Sequence, residues 1–150
     1  MAEGVLAVDA TDHILGRLAS IIAKKLLNGE RVVVVNAERA MISGKRHMVF
    51  REFLSRLEIK SRVHPRHTPR HPRRPDTIFK RVVRGMLPRR KPRGVAALKR
   101  LRVYVGRPPP YDKTPLVEFR EAKITKTPAF YTSLGELAER LGWRRVEVGR

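Results

Sequence analysis

Residues 64–75 read HPRHTPRHPRRP and place three imidazoles, four guanidinium groups and four prolines within twelve positions. Two chemistries compete for such a stretch. His64, His67 and His71 are spaced by three and four residues, so on a helix they would share one face and offer nitrogen ligands to a metal ion. Pro65, Pro69, Pro72 and Pro75 exclude that helix, because each lacks a backbone donor and restricts the residue before it. No carboxylate lies within the stretch to complete a metal site. The other chemistry is recognition of a polyanion. Proline lowers the entropy lost when an extended arm is fixed, arginine forks onto phosphate oxygens, and guanidinium and imidazole planes stack on exposed bases. The expectation is a polyproline-like arm over about 61–75 that holds no metal and lies along folded nucleic acid.

The arm opens a longer basic block. The chain has 34 Lys and Arg against 14 Asp and Glu, a net charge of +20, and its calculated pI is 11.6. Residues 61–107 hold 16 of the basic side chains and one acidic one, Asp76. Self-repulsion on this scale calls for an anionic partner. The block is internal and interleaved with Ile78, Phe79, Val82, Val83, Met86 and Leu87, as a folded basic face would be and a solvated tail would not. The candidate contacts are Lys45 and Arg46 at ISGKR, and Arg62, Arg66, His67, Arg70, His71, Arg73 and Arg74 in the arm. Lys80, Arg81 and Arg84 follow in a helix, and Arg89, Arg90, Lys91 and Arg93 in a second proline-punctuated loop over about 87–94. Arg70, Arg73 and Arg74 are expected to be peripheral to the core.

Other functions find no support. Without cysteine there is no disulfide, thiolate zinc site or thiol nucleophile. SGK at 43–45 lacks the upstream glycine and following Ser or Thr of a nucleotide-binding loop, though its amides and lysine at a helix start suit one phosphate of a polynucleotide. DHILG at 12–16 lacks the dinucleotide fingerprint, so Gly16 is expected to serve close packing. No nucleophile elbow or paired-carboxylate motif appears, and Asp9 and Asp12 are expected to cap or solvate. These motifs assign no cofactor, no catalytic residues and no small-molecule substrate, while an enzyme whose site is assembled by geometry stays open. The first ten residues lack the basic start and long apolar core of a signal peptide, and apolar runs are short, so a soluble, cytoplasmic protein without membrane contact is expected. The competing reading is a nucleic-acid-processing or nucleotide-dependent α/β enzyme, which would need a convergent polar cleft at the carboxyl edge of its sheet.

The elements that must carry these groups are legible in part. VLAVDA (5–10) reads as a buried strand. The stretch 11–29 changes to helical period, with Leu15, Leu18, Ala19, Ile22 and Leu26 on one face, Asp12 as N-cap and Asn28-Gly29 as C-cap. RVVVVNAE (31–38) is apolar on consecutive positions, as expected for a strand covered on both faces. Phe50, Phe53, Leu54 and Leu57 predict an amphipathic helix whose stripe joins the core, and 76–87 a further helix capped by Asp76. VAALKRL predicts a short helix, LRVYVG (101–106) a third strand, and VEFREAKIT an edge strand or extended arm. SLGELAERLGW (133–143) predicts a helix with a Ser133–Glu136 capping box and a Gly142 stop. The order favours an α/β domain with helices on both faces of a small, mainly parallel sheet, all in one domain over 1–150. Tyr111, after three prolines, is the aromatic most suited to lie against RNA or a protein neighbour.

Five segments in this order are shared with a known family: DHILGRLASIIAKKLLNGERVVVVNAE (12–38), ISGKR (42–46), RGMLP (84–88), LKRLRVYVGRPPPYD (98–112) and SLGELAERLGW (133–143). The chain resembles the large-subunit ribosomal protein thirteen family, in the form found in archaea. The resemblance implies a three-layer α/β/α domain around a small, mainly parallel four-stranded sheet with basic extended loops. It implies a structural, non-enzymatic role in binding and assembling large-subunit ribosomal RNA beside neighbouring ribosomal proteins. Gly16, Arg17 and Ser20 then belong to the helix after the first strand, Asn36 and Glu38 to the end of the second, and Arg84, Gly85, Met86, Leu87 and Pro88 to the family signature. Bacterial members tend to carry a glycine- and tyrosine-containing segment where this chain has 64–75, so contacts of that segment do not carry over.

Overall fold

The computed structural model describes residues 4–145. Strand β1 (Val5–Asp9), helix α1 (Leu15–Leu27) and strand β2 (Arg31–Val35) form a parallel crossover, with Val5 opposite Arg31 and Asp9 opposite Val35. Short strand β3 (Met41–Ser43) leads into α2 (Arg46–Glu58), α3 (Pro75–Met86) and α4 (Pro92–Lys99). Strand β4 (Leu101–Val103) follows, and the chain returns through β5 (Tyr131–Ser133) to α5 (Leu134–Arg140). The sheet runs β1-β2-β4, all parallel, while β3 and β5 make a separate antiparallel pair.

Central strand β2 is buried from Val32 to Val35, which accounts for its consecutive apolar residues. Val8, Val32 and Val34 face the main core together with Leu18, Ile22, Leu26, Ile78, Phe79 and Val83 of α1 and α3. Ala7, Val33 and Val35, on the opposite face, are buried as well. The fourth lane of the sheet is a single bridge: Val117 donates to the Ala7 carbonyl at 2.8 Å and accepts from Asp9 N–H at 3.2 Å. VEFREAKIT is therefore a strap along the β1 edge, whose regular pairing ends after one residue.

Several boundaries depart from expectation. Helix α1 begins at Leu15, and its N-cap position is Ile14 without a side-chain cap. Asp12 instead has left-handed backbone, φ 57°. Long-range bonds hold this segment out of the helix: the Asp12 carbonyl accepts from Ile124 N–H at 3.0 Å, and Ile14 N–H donates to the Ala122 carbonyl at 2.7 Å. Asp76 lies inside the first turn of α3, behind N-cap Arg74. The loop read as 87–94 ends at Lys91, because Pro92 starts α4 and suits a helix N-terminus. Ser133 caps α5 by accepting from Glu136 N–H at 3.2 Å. The Glu136 carboxylate does not reach back to complete the box but pairs with Arg46.

Between β1 and α1, His13 is fully buried and bonded at both ring nitrogens. The Thr11 carbonyl, 2.7 Å from Nδ1, can only accept, and the Phe119 N–H, 3.1 Å from Nε2, can only donate. These partners fix a neutral ring with its proton on Nδ1. The His13 carbonyl also accepts from Met41 N–H at 2.8 Å, so one residue joins β1, β3 and the strap.

The carboxyl edge of the sheet is closed in a similar way. Asp9 Oδ1 accepts from Thr11 N–H at 2.9 Å, Thr11 Oγ1 at 2.7 Å and Asn36 Nδ2 at 3.1 Å. Asn36 takes the left-handed conformation, φ 55°, that asparagine tolerates better than most residues. Burial pushes the Asp9 carboxyl pKa up, but the bonds from Thr11 and Asn36 outweigh it and hold it below the ordinary carboxylate value. Glu38 Oε2 accepts from Gly106 N–H at 3.0 Å, tying β2 to the loop after β4.

Two stability outcomes follow. His13→Ala leaves the Phe119 amide unpartnered and opens a cavity, and should lower stability by about 2–4 kcal/mol in urea denaturation. Asp9→Asn should lose about 1 kcal/mol at neutral pH. Because the folded-state pKa of Asp9 is depressed, its contribution is present at neutral pH and lost as pH falls through that pKa. The gap between Asp9→Asn and the parent should therefore close toward acid pH, and a pH-independent gap would contradict this role.

Candidate nucleic-acid interface

The basic arm is built by its prolines. His64, Thr68 and Arg74 have extended backbone, and between them Pro65–His67 makes one 3-10 turn. The His64 ring accepts from Arg66 N–H at 3.1 Å through Nδ1, and Ser61 N–H donates to Thr68 Oγ1 at 3.2 Å. Arg62, Arg66, His67 and Arg70 are exposed. The rings of His64 and His67 lie 5.6 Å apart, whereas His71 turns into a half-buried position against the core. The three imidazoles do not converge, and no cluster of three or more potential metal ligands occurs among the described residues.

Arg73 and Arg74 are not simply peripheral. Arg73 is exposed yet donates to the Leu141 carbonyl at 3.3 Å, just past α5. Arg74 holds the Asp76 carboxylate with two bonds of 3.1 Å each, so the single acidic group of the basic block is used inside the chain. Arg81 on α3 donates to the Arg70 carbonyl at 2.8 Å. Three of the arginines thus fasten the arm to the helices behind it.

Helices α3 and α4 present the rest of the charge. On α3 the apolar positions Ile78, Phe79 and Val83 are buried, which leaves Arg81 and Arg84 exposed and Lys80 half-buried. The turn between the helices exposes Arg89, Arg90 and Lys91, with Arg93 exposed in the first turn of α4. Arg84, Arg89, Arg90, Leu87, Val95 and Leu98 line one cavity of about 380 Å³. Lys80, Arg81, Arg84, Pro72 and Leu98 line a second of about 310 Å³. Shared residues join the two into a basic trough with an apolar floor. Gly94 is required here, since a Cβ would fall 2.2 Å from the Pro88 carbonyl oxygen. Among the described residues, none of the trough cations is in an ion pair.

Lys45 and Arg46 sit elsewhere, at the start of α2 beside β5 and α5. Lys45 is the exposed N-cap residue, and Arg46 pairs with Glu136 at 3.2 Å. The Gly44 amide already donates to the Phe130 carbonyl at 2.9 Å, so the expected phosphate cradle is partly used within the fold. Gly16 is exposed, and a Cβ there would meet nothing within 4 Å, so close packing is not its role. Arg17 and Ser20 are exposed on the same helix. In the RGMLP segment, Leu87 is buried while Arg84, Gly85, Met86 and Pro88 face outward.

Sequence reasoning missed three arginine roles. Arg100 donates to the Leu26 carbonyl at 3.0 Å and finishes α1, while Arg107 donates to the Tyr111 and Thr114 carbonyls at 2.9 and 2.8 Å and shapes the proline-rich loop. Arg56 lies with its guanidinium 5.0 Å from the Phe53 ring, at the edge of the cavity beside the arm. Its spacing of three from Phe53 was the signal available. Tyr111 is half-buried and rests on Tyr104, with ring centroids 5.8 Å apart. At the carboxyl edge of the sheet, Asp9 Oδ1 is bonded to Thr11 and Asn36 and Glu38 Oε2 to the Gly106 amide, while Glu38 Oε1 is buried without a hydrogen bond and lies 3.9 Å from the Arg145 guanidinium.

The family profile described as ribosomal protein L13 matches residues 3–110. The large ribosomal subunit protein uL13 of Methanopyrus kandleri is 44% identical over 140 residues, covering 91% of this chain and 86% of its own length. That of Archaeoglobus fulgidus is 44% identical over 149 residues, 97% of this chain and 93% of its own. That of Aeropyrum pernix is 45% identical over 140 residues, 93% and 90% respectively. With the family profile matching most of it and relatives aligned over nearly its full length, the chain belongs to the ribosomal protein L13 family, structural and non-enzymatic components of the cytoplasmic large ribosomal subunit.

Proposed function

We propose that the chain acts as one RNA-binding domain over 1–150 that binds large-subunit ribosomal RNA, helps it assemble and remains in the subunit beside neighbouring ribosomal proteins. The observation that carries this reading is the trough of α3 and α4 with the arm beside it: exposed cations whose one acidic neighbour in sequence, Asp76, is already paired with Arg74. The mechanism is neutralisation and positioning. Arg62, Arg66, Arg70, Arg84, Arg89, Arg90 and Arg93 offer directional forks to phosphate oxygens, and Lys45, Lys80 and Lys91 offer point charges. His67 and His71 add imidazole planes. Arg73, Arg74 and Arg81 hold the arm in place while keeping exposed guanidinium edges, and Arg46 contributes beyond its surface pair with Glu136, which is worth little.

The test separates contact from scaffolding. Arg66→Glu, Arg70→Glu and Arg89→Glu combined should weaken ribosomal RNA binding by at least a hundredfold in filter binding, with the melting temperature nearly unchanged, because these side chains make no hydrogen bonds or ion pairs among the described residues. Unchanged affinity would contradict the interface.

A further inference from the structure

The apolar stripe of α2 raises a question the core does not answer. Phe50, Phe53, Leu54 and Leu57 pack against the core, yet all four are only half-buried, and Val49 is the one buried residue of that helix. A cavity of about 160 Å³ lies between α2, the arm and α3. Its walls are Phe53, Leu57, Pro72, Ile78, Val82 and Leu141. Arg56, Arg81 and His71 complete the lining.

Three observations constrain the occupant. The first is size: an apolar protein cavity of roughly 150 Å³ accepts one benzene ring, so this cavity takes one six-membered aromatic ring. The second is charge. Arg81 is exposed and has no acidic partner among the described residues, and the Arg56 guanidinium, paired with Glu52, lies over Phe53. A ring entering past them is favoured if it carries negative charge on its tether. The third is the half-buried imidazole of His71, whose Nε2 is buried with no hydrogen-bond partner. A purely apolar side chain would leave that atom unsatisfied, whereas a ring with polar edge atoms relieves it after a small turn of the imidazole.

We propose that this cavity seats one unstacked pyrimidine base of the RNA. The base packs between Phe53 and Val82, its edge reaches His71, and its flanking phosphates meet Arg56 and Arg81. Filling the cavity also fixes the arm, because Pro72 and His71 form one wall and Arg73 ties the arm to Leu141 in another. The inference rests on the RNA-binding reading and adds to it a specific subsite.

Val82→Phe should fill the space with the protein's own ring. The expected result is a melting temperature equal to or above that of the parent and RNA affinity lower by roughly tenfold, the scale of one stacked base, with an unchanged salt dependence. Unaltered affinity in a variant that melts normally overturns the subsite. A parent protein that does not bind ribosomal RNA at all would instead refute the underlying RNA-binding reading. A second measurement uses the unaltered chain: RNA substituted with 4-thiouridine, irradiated in the complex, should cross-link to Phe53 or His71. Cross-links confined to other residues overturn the proposal. So does a Val82→Phe protein that binds RNA normally but no longer joins the subunit, which would give the cavity to a neighbouring protein.

Discussion

A concentration of positive charge with almost no internal counter-charge is the constraint on which the rest of this molecule depends. Between residues 61 and 107 the fold must carry 16 cationic side chains against one carboxylate. Ion pairing within the chain cannot neutralise that block, so it lies on the outside of elements held together by other means. The means are apolar burial and a few buried polar knots. Helices α1 and α3 bury aliphatic and aromatic stripes, His13 joins β1, β3 and the strap through neutral hydrogen bonds, Asp9 accepts from Thr11 and Asn36, and Glu38 accepts from the Gly106 amide and lies 3.9 Å from Arg145. Acidic groups that might have softened the basic face are thereby committed elsewhere.

The same constraint explains why the arm is proline-rich and why some of its arginines point inward. An arm of like charges spreads unless its backbone is restricted and fastened. Four prolines restrict it, and the bonds of Arg73 to Leu141, Arg74 to Asp76 and Arg81 to Arg70 fasten it to the surface it extends. Carbonyl oxygens serve as two of the three fasteners, so the attachment consumes little counter-charge. A partner then meets a surface already arranged, which lowers the entropy lost on binding.

What the sequence disclosed follows the range of the interactions involved. Period and composition were enough for α1 and β2, whose burial is set by their own residues. Asn28-Gly29 and Ser133 declared their caps because capping is local. Asp12 misled as a cap because its backbone is bonded to Ile124, more than a hundred residues away. Strands β3 and β5 escaped notice for the same reason: each has three residues, and they pair across most of the chain. The basic residues of the candidate face were legible from composition, but composition could not distinguish Arg89, whose side chain makes no hydrogen bond or ion pair among the described residues, from Arg100 or Arg107, which hold carbonyls. Nor could it show that the stripe of α2, packed against the core, stays half-buried and borders a cavity.

The central claim is that uncompensated charge, rather than a few specific contacts, drives association with RNA. The most direct measurement is the affinity of the purified protein for large-subunit ribosomal RNA over a range of monovalent salt. If on the order of ten phosphates are engaged, log affinity against log salt should be linear with a slope of about −7 for single-stranded-like contacts. A slope near zero, with binding retained at high salt, would contradict the account.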